Sequence, residues 1–565
     1  MNTPAVKSEA AVKRNRWLTL IAMTLSSGMI LVDQTSVPLA IPQAMSDLGG
    51  PVSDGQWILT ANMLPLAAFM VLGGRLGDLY GLRRVFLAGA FIFTISSAFA
   101  GASQDLPWMI TARAVQGAGA ALMMPTAVAI VSSVFPDAER GKALGLLAGF
   151  AAFAAALGPV LGGGLSSIDW RLVFLVNVPL AAVCVVLTLR ACPRIPPKAG
   201  ASRNLDPAGV ITFGIGIAGI VYALGQGQSL GWTDPQVIGA FIASIVSFIA
   251  FVIVEFKVEN PMIEFRLFRH LNFLAANISQ FLAGMIELGT AYLLPYFLLM
   301  MIGFSPFVAG LALIPATVPI IFAGPLAGKW FDLKGGRQPL VFGFLTLAAS
   351  GIAFALAVHH QEYIWIVPGL VLQGIGLGVV LTANDPTGLS AVPDDDQGQA
   401  AGVINTTEQL GGAFGIAILT AILVGISVRH TDDALAAKGR EVTPERTSEW
   451  KGFILEIEQR GLDQIDVAKQ DKTIRVAFDD VMTGHILGYE WVFYTTTGIA
   501  LMGALACFLL VRKVDRVEKL KVFGRGSRWQ YANTGRTPGI TRHPAPDQDP
   551  APGRAEHAPE NPPEV

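Results

Sequence analysis

Fourteen stretches of about 20 predominantly apolar residues run through this chain, and each is long enough to cross the hydrocarbon core of a bilayer. They cover 17–39, 56–76, 85–103, 108–130, 143–166, 171–190, 207–226, 236–256, 273–297, 306–327, 339–358, 363–383, 402–426 and 491–511. Lipid offers a backbone no hydrogen-bond partner, so each stretch is expected to be a helix. The fold class is therefore an all-α polytopic membrane protein with 14 transmembrane helices. Composition agrees: 52% of residues are hydrophobic and 15% charged, where a soluble chain carries about 25% charge. The first stretch follows Lys7, Lys13, Arg14 and Arg16. It exceeds the ~7–15 residues of a signal-peptide core and is read as a retained first span.

Composition also excludes functions. A net charge of −2 leaves no footprint for nucleic acid. Cys184, Cys192 and Cys507 lie in or beside apolar segments, with neither metal spacing nor a disulfide framework. No G-x-x-x-x-G-K-[ST] occurs, which argues against an ATP-driven pump. No enzyme activity, cofactor or metal is expected.

Lys and Arg bias orients the spans. Bases gather in the N-terminus, 77–84, 131–142, 191–206, 257–272, 328–338 and 512–565, while the loops 40–55, 104–107, 227–235, 298–305 and 359–362 have none. Both termini are expected in the cytoplasm of a cell whose cytoplasmic membrane the chain crosses. Arg171 and the turn Asp394-Asp395-Asp396 run against the bias. The expected layout is a cytoplasmic N-terminus (1–16), a six-helix bundle (17–190), a linker (191–206), two inserted helices (207–256), a second linker (257–272), a second six-helix bundle (273–511) and a disordered tail (512–565). The second bundle carries an outer loop at 427–490, where mixed stretches such as Phe453-Ile454-Leu455-Glu456-Ile457 suggest one or two short amphipathic helices.

The insertion follows from a repeat. Gly74, Asp78, Gly81 and Arg83 recur as Gly328, Asp332, Gly335 and Arg337, each pair separated by the same 254 positions (74 to 328, 78 to 332, 81 to 335, 83 to 337). The first copy closes span two and the second closes span ten. A duplicated six-helix half would put them six spans apart, so two spans are extra. In this gating motif the glycines let a helix end and the chain turn tightly. Asp78 can face a neighbouring helix N-terminus or the base at Arg83, holding one face shut. Alternatively, Arg83 and Arg84 only anchor topology. Duplicated halves rocking about a midplane site are the architecture of a secondary transporter.

Buried charges are the other signal, since each costs several kcal/mol without a partner. Asp33 and Arg113 both lie about 8–9 Å below the outer boundary, at 1.5 Å per residue. They form either a proton-coupling pair or a static one. Glu287 lies near the midplane of span nine with no base at its depth. It is a candidate proton carrier and cation-binding carboxylate, or else a neutral hydrogen-bonding group. Glu408 and Asp385 fall near inner ends and are either interfacial or transport residues. Trp57, Phe69, Tyr292, Tyr296 and Phe297 either line an apolar cavity or pack against lipid and protein. In Gly158-Pro159-Val160-Leu161-Gly162-Gly163 proline removes a helix hydrogen bond and glycine permits close contact. The result is a hinge or simply a packing site. The His359-His360 pair in an outer turn reads as surface.

These segments resemble a known family. Gly74–Arg84 is similar to the G-x-L-x-D-x-x-G-x-R-R signature of the major facilitator superfamily, and Ile110–Ala120 to its fourth-helix signature. Leu157–Gly163 resembles the fifth-helix exporter signature. Leu31–Pro42 resembles the first-helix signature of the fourteen-span drug:proton antiporters of EmrB/QacA type, as do Trp170-Arg171 with Phe174, Asn177 and Pro179, and Asn405 with Gln409–Gly412. Asn62 replaces the usual Tyr, and Glu408 a usual base or Gln; both alter the expected pocket. The resemblance implies a proton-coupled multidrug antiporter that exports amphipathic, often cationic compounds as a monomer. The substrate-binding residues expected from buried charge and aromatic placement are Glu287, Asn62, Trp57, Tyr292, Tyr296 and Glu408. The alternative is a dedicated exporter of one metabolite, antibiotic or lipid. No long periplasmic coiled coil is encoded, so a periplasmic adaptor stays an open alternative.

Overall fold

A computed structural model describes residues 9–48, 56–136, 139–195, 206–227, 230–258, 261–304, 306–393, 396–438, 443 and 472–512. Among them are fourteen helices long and apolar enough to cross a membrane. In chain order they are α1 (Glu9–Leu48), α2 (Gln56–Tyr80), α3 (Leu82–Gly101), α4 (Leu106–Val134), α5 (Arg140–Ser166), α6 (Arg171–Leu175 and Asn177–Ala191), α7 (Pro207–Gln226), α8 (Pro235–Glu255), α9 (Leu271–Met300), α10 (Pro306–Ala312 and Ile314–Lys334), α11 (Arg337–Ala357), α12 (Tyr363–Leu389), α13 (Gln397–Ala437) and α14 (Lys472–Leu510). Lys7, Lys198, Arg203, Asp394, Asp395, the 453–457 stretch and the tail lie outside the described residues.

Local chemistry sets the helix ends. Asp105, Asp206 and Asp234 each cap a helix by accepting a hydrogen bond from a backbone N–H of the first turn, with proline at the first or second position. At the other kind of end, Gly81 (φ +98°) and Gly335 (φ +79°) take the left-handed turns the repeat requires.

Packing repeats between the halves. Helix α1 lies on α5 as α9 lies on α13, and α2 lies on α4 as α10 lies on α12. The halves meet along α2–α13 and α5–α10. The hairpin α7–α8 packs on α2 and α13, beside one of these seams. Met45, Ile58, Met109, Trp170 and Phe174 fill one end of the first half; Phe297, Phe354, Tyr489 and Phe493 fill the same end of the second.

Two segments differ from the sequence reading. Helices α13 and α14 continue into the interval 427–490, to Ala437 and from Lys472, so much of the expected loop is helical. Charged positions there end the apolar run but not the helix: Lys438 pairs with Asp480 at 2.7 Å and His359 with Glu490 at 3.1 Å. At its other end α13 begins at Gln397, ahead of the apolar run, which puts Glu408 about 16 Å inside the helix. An interfacial position for Glu408 is thereby replaced by an interior one.

Candidate transport site

Three polar constellations stand out in an otherwise apolar bundle. The first closes one face. Asp78, buried at the end of α2, accepts hydrogen bonds from the backbone N–H groups of Gly398 (2.9 Å) and Gln399 (2.7 Å). These are free donors in the first turn of α13, where the helix dipole favours an anion. Asp332, at the end of α10, does the same for α5, accepting from Gly141 (3.1 Å) and Lys142 (3.3 Å). Each half thus clamps the fifth helix of the other. Close approach makes this possible: a methyl group added to Gly74 would lie 1.9 Å from the Gly398 carbonyl oxygen, and one on Gly328 2.3 Å from that of Gly141.

Of the two partners the sequence allowed Asp78, the structure selects the helix N-terminus. Arg83 instead donates to the Leu189 carbonyl at 2.8 Å. Arg84 is exposed, and Arg337 lies 4.3 Å from the Phe508 ring centre.

The second constellation is buried in the first half. Arg113 Nη1 donates to Asp33 Oδ2 at 2.6 Å, both side chains being at most 2% exposed. Asp33 Oδ1 accepts from Gln116 Nε2 (3.1 Å) and Asn177 Nδ2 (3.0 Å), and both amides also donate to Ser97 Oγ. Arg113 Nε donates to the Ile58 carbonyl, and the guanidinium lies 5.6 Å from the Phe174 ring centre. Asn62 supports this network from behind by donating to the Arg113 carbonyl at 3.3 Å. That bond ties its amide nitrogen to α4.

The third lies in the second half and contains acids without a base. Glu408 Oε2 accepts from Gln280 Nε2 (2.5 Å), whose oxygen accepts from Asn384 Nδ2 (2.5 Å). Electrostatically, Glu408 acts on both Glu287 and Asp385. Measured along their helices from the clamped face, Asp385, Glu408 and Glu287 stand about 6, 16 and 24 Å deep at 1.5 Å per residue. They form a stair of carboxyls toward the midplane.

The remaining sequence candidates scatter. Tyr292 and Tyr296 pack together at 5.3 Å on α9. Trp57 stacks toward Tyr222 of the inserted α7 at 6.0 Å, and Phe69 faces Gly214 of the same helix. Phe297 is fully buried against Tyr489, so it belongs to the core and not to a cavity wall. Helix α5 stays helical through Pro159. Gly158 and Gly162 press on α1 at Thr35 and Ser36, and Thr35 Oγ1 donates to the Ala155 carbonyl at 2.8 Å, while Gly163 faces open space. His359 is tied to Glu490, His360 stacks on Trp365, and no metal-binding group occurs among the described residues.

The sequence reading singled out the charges and missed the amides that hold them. Gln280, inside an apolar span, and Asn384, just past the end of one, were the available signal, since a buried amide needs partners.

Comparison with known proteins fits this geometry. The sequence model of the Major Facilitator Superfamily matches residues 23–416. The chain is 31% identical over 430 residues to the puromycin resistance protein pur8 of Streptomyces alboniger, covering 74% of this chain and 84% of that one. It is 31% identical over 414 residues to the multidrug resistance protein Stp of Mycobacterium tuberculosis H37Rv, covering 73% and 76%. Among solved structures, the human organic anion transporter MFSD10 superposes with a TM-score of 0.55 at 14% identity, over 89% of this chain and 100% of that one. At that identity the likeness speaks for the fold.

Proposed function

The chain belongs to the Major Facilitator Superfamily, and from that premise we propose that it is a proton-coupled antiporter exporting amphipathic, often cationic compounds across the cytoplasmic membrane. Membrane transport by this fold needs two halves that separate alternately at each face. The observation that carries the reading is the reciprocal clamp, Asp78 on α13 and Asp332 on α5. Each is a pair of hydrogen bonds that breaks cleanly when the halves rotate apart, which makes the interface bistable in the sense an alternating-access carrier needs. The Lys and Arg bias supports placing this clamped face, with both termini, in the cytoplasm.

In this mechanism the Asp33–Arg113 network is the proton site. A proton arriving from outside neutralises Asp33, releases the guanidinium and loosens α1 from α4. Losing that proton to the cytoplasm restores the ion pair. The carboxyls of the second half, led by Glu287, are the substrate-facing acids. They bind either a proton or a cation, and that competition couples the two movements. Relatives named for drug resistance support export as the direction.

The test is growth and efflux with a compound panel in a host lacking its own exporters, with and without a protonophore. Protection that the protonophore abolishes is the expected result; efflux indifferent to it refutes the coupling. The second reading, a dedicated exporter of one compound, is supported by a relative named for a single antibiotic. The same panel separates the two, since a dedicated exporter protects against one chemical scaffold only.

A further inference from the structure

Asp33 and Glu287 are separated by 254 positions, the interval that also relates Gly74 to Gly328 and Asp78 to Asp332. Helix α9 repeats α1, and the two acids occupy one register of the duplicated fold. Between α4 and α12 the interval is 257. Asp105 and Glu362, the cap residues of the two helices, are that far apart (105 to 362), and so are Gly117 and Gly374 (117 to 374). The glycines verify the register physically. A methyl group on Gly117 would lie 2.1 Å from the carbonyl oxygen of Asn62, and one on Gly374 1.9 Å from that of Ala316. Asn62 and Ala316 are again 254 apart (62 to 316). This register sets Gln373 on Gln116 and Leu370 on Arg113 (116 to 373, 113 to 370).

The acid and the amide were therefore duplicated, and the base was not. Leu370 is fully buried, packed in the cluster that holds Leu293, Phe297 and Ile366. No Lys or Arg occurs within 273–297, 363–389 or 402–426, the segments that carry the acids. The amide has moved as well. Gln116 donates to Asp33, whereas Gln373 Nε2 donates to Thr290 Oγ1. Two buried oxygens at one depth then have no hydrogen-bond partner among the described residues: Glu287 Oε2, about 24 Å along α9 from Leu271, and Gln373 Oε1, about 24 Å along α12 from Leu389, on a side chain 6% exposed. Both are acceptors. A buried acceptor left unmet is costly, and the complement of an amide oxygen beside a carboxyl is a cation with N–H donors.

We propose that the transported compound supplies the missing base: its protonated amine or guanidine enters the second half at the position corresponding to Arg113 and donates to Glu287 and Gln373. The inference deepens the export reading and rests on it for the word "transported". It narrows the substrate class to cations that carry N–H donors, and it disfavours quaternary ammonium compounds, which have charge without donors. Neutral compounds gain nothing from these groups.

The experiment uses the full chain in lipid nanodiscs and three fluorescent probes of one skeleton: dansylcadaverine, its trimethylammonium derivative and its N-acetyl derivative. The wild type is expected to bind the primary ammonium roughly tenfold or more tighter than either derivative, the scale of one lost hydrogen bond to a charged group. Leu370→Arg places a tethered guanidinium in the register of Arg113 and is expected to erase that preference. Glu287→Gln is expected to erase it as well, and carries the same comparison should the arginine variant fail to fold. Equal binding of the three probes by the wild type overturns the proposal, as does a preference that survives Glu287→Gln. Binding is read without transport, so these outcomes are separable from failure of export. A wild type that exports neutral compounds with no ammonium preference keeps the export reading and loses this one.

Discussion

Replacing Asp78 by asparagine keeps the shape of the clamp and removes its charge. The aspartate accepts two backbone N–H bonds from α13, at 2.9 and 2.7 Å, from a buried position. A hydrogen bond to a charged group contributes about 1.5–3 kcal/mol, and the helix N-terminus adds about 0.3–2 kcal/mol for an anion. Asparagine has one acceptor oxygen, and its NH2 group turns against the second donor. One bond is lost and the other becomes a neutral one, so the clamped state loses roughly 2–4 kcal/mol. At 1.4 kcal/mol per decade that is about a 30- to 700-fold shift toward the open state. Asp332 makes longer bonds, at 3.1 and 3.3 Å, from a partly exposed position, so Asp332→Asn should shift the balance less. The assay is labelling of single cysteines at Val128 on α4 and Ala323 on α10 by a membrane-impermeant maleimide added from the clamped face, in a background without Cys184, Cys192 and Cys507. Both sites are buried in the clamped state. Faster labelling in Asp78→Asn, and a smaller gain in Asp332→Asn, is expected. Unchanged labelling in both leaves these motifs as topology anchors. A larger effect at Asp332 refutes the reasoning from bond length and burial.

Three further outcomes are expected. Asp33→Asn should insert normally but lose protonophore-sensitive efflux, because the carboxyl that pairs with Arg113 at 2.6 Å is gone; drug-dependent proton release at wild-type level by this variant would contradict the assigned proton site. Glu287→Gln should lose export of cationic compounds while retaining some neutral ones; equal loss of both classes points to a proton-carrying role alone, and unchanged transport of both makes Glu287 structural. Burial pushes the Cys192 thiol up to about 11, outweighing the downward pull of Arg83. The reactive thiolate is then scarce at neutral pH, so maleimide labelling of this cysteine at pH 7.5 should be slow in the native protein and fast after denaturation. Rapid native labelling would show the site is not closed as described.

The parts of this molecule legible in its sequence are those that side chains announce. Apolar length marks the helices, the glycine–aspartate repeat marks the duplication, and equal depth foretells the pairing of Asp33 with Arg113. A helix N-terminus was legible as one of two partners for Asp78, but which helix was not, because Asp78 and Asp332 are held by backbone N–H groups, which every residue carries. Only the tertiary fold decides which helix start arrives beside them. The interior position of Glu408 was hidden for another reason: α13 starts five residues before its apolar run (397 against 402), and composition locates lipid, not helix ends. The bond from Asn62 to the Arg113 carbonyl was not legible either, because an amide can satisfy a neighbouring carbonyl as readily as a ligand.

The inserted hairpin makes the two seams of a symmetric machine unequal. It packs over α2 and α13, and the chain leaving it is stitched to the clamp. Glu255 accepts from the Met262 N–H at 3.1 Å, while Gln399, which donates its own N–H to Asp78, also donates its side-chain amide to the Met262 carbonyl. Among the described residues no such cover lies over α5 and α10, which turn Phe150, Leu157, Phe322 and Leu326 outward. One flank of the molecule is therefore a covered seam and the other a bare one. Crosslinking α5 to α10 should shut out membrane-partitioned compounds while leaving water-borne ones an entrance through the aqueous mouth.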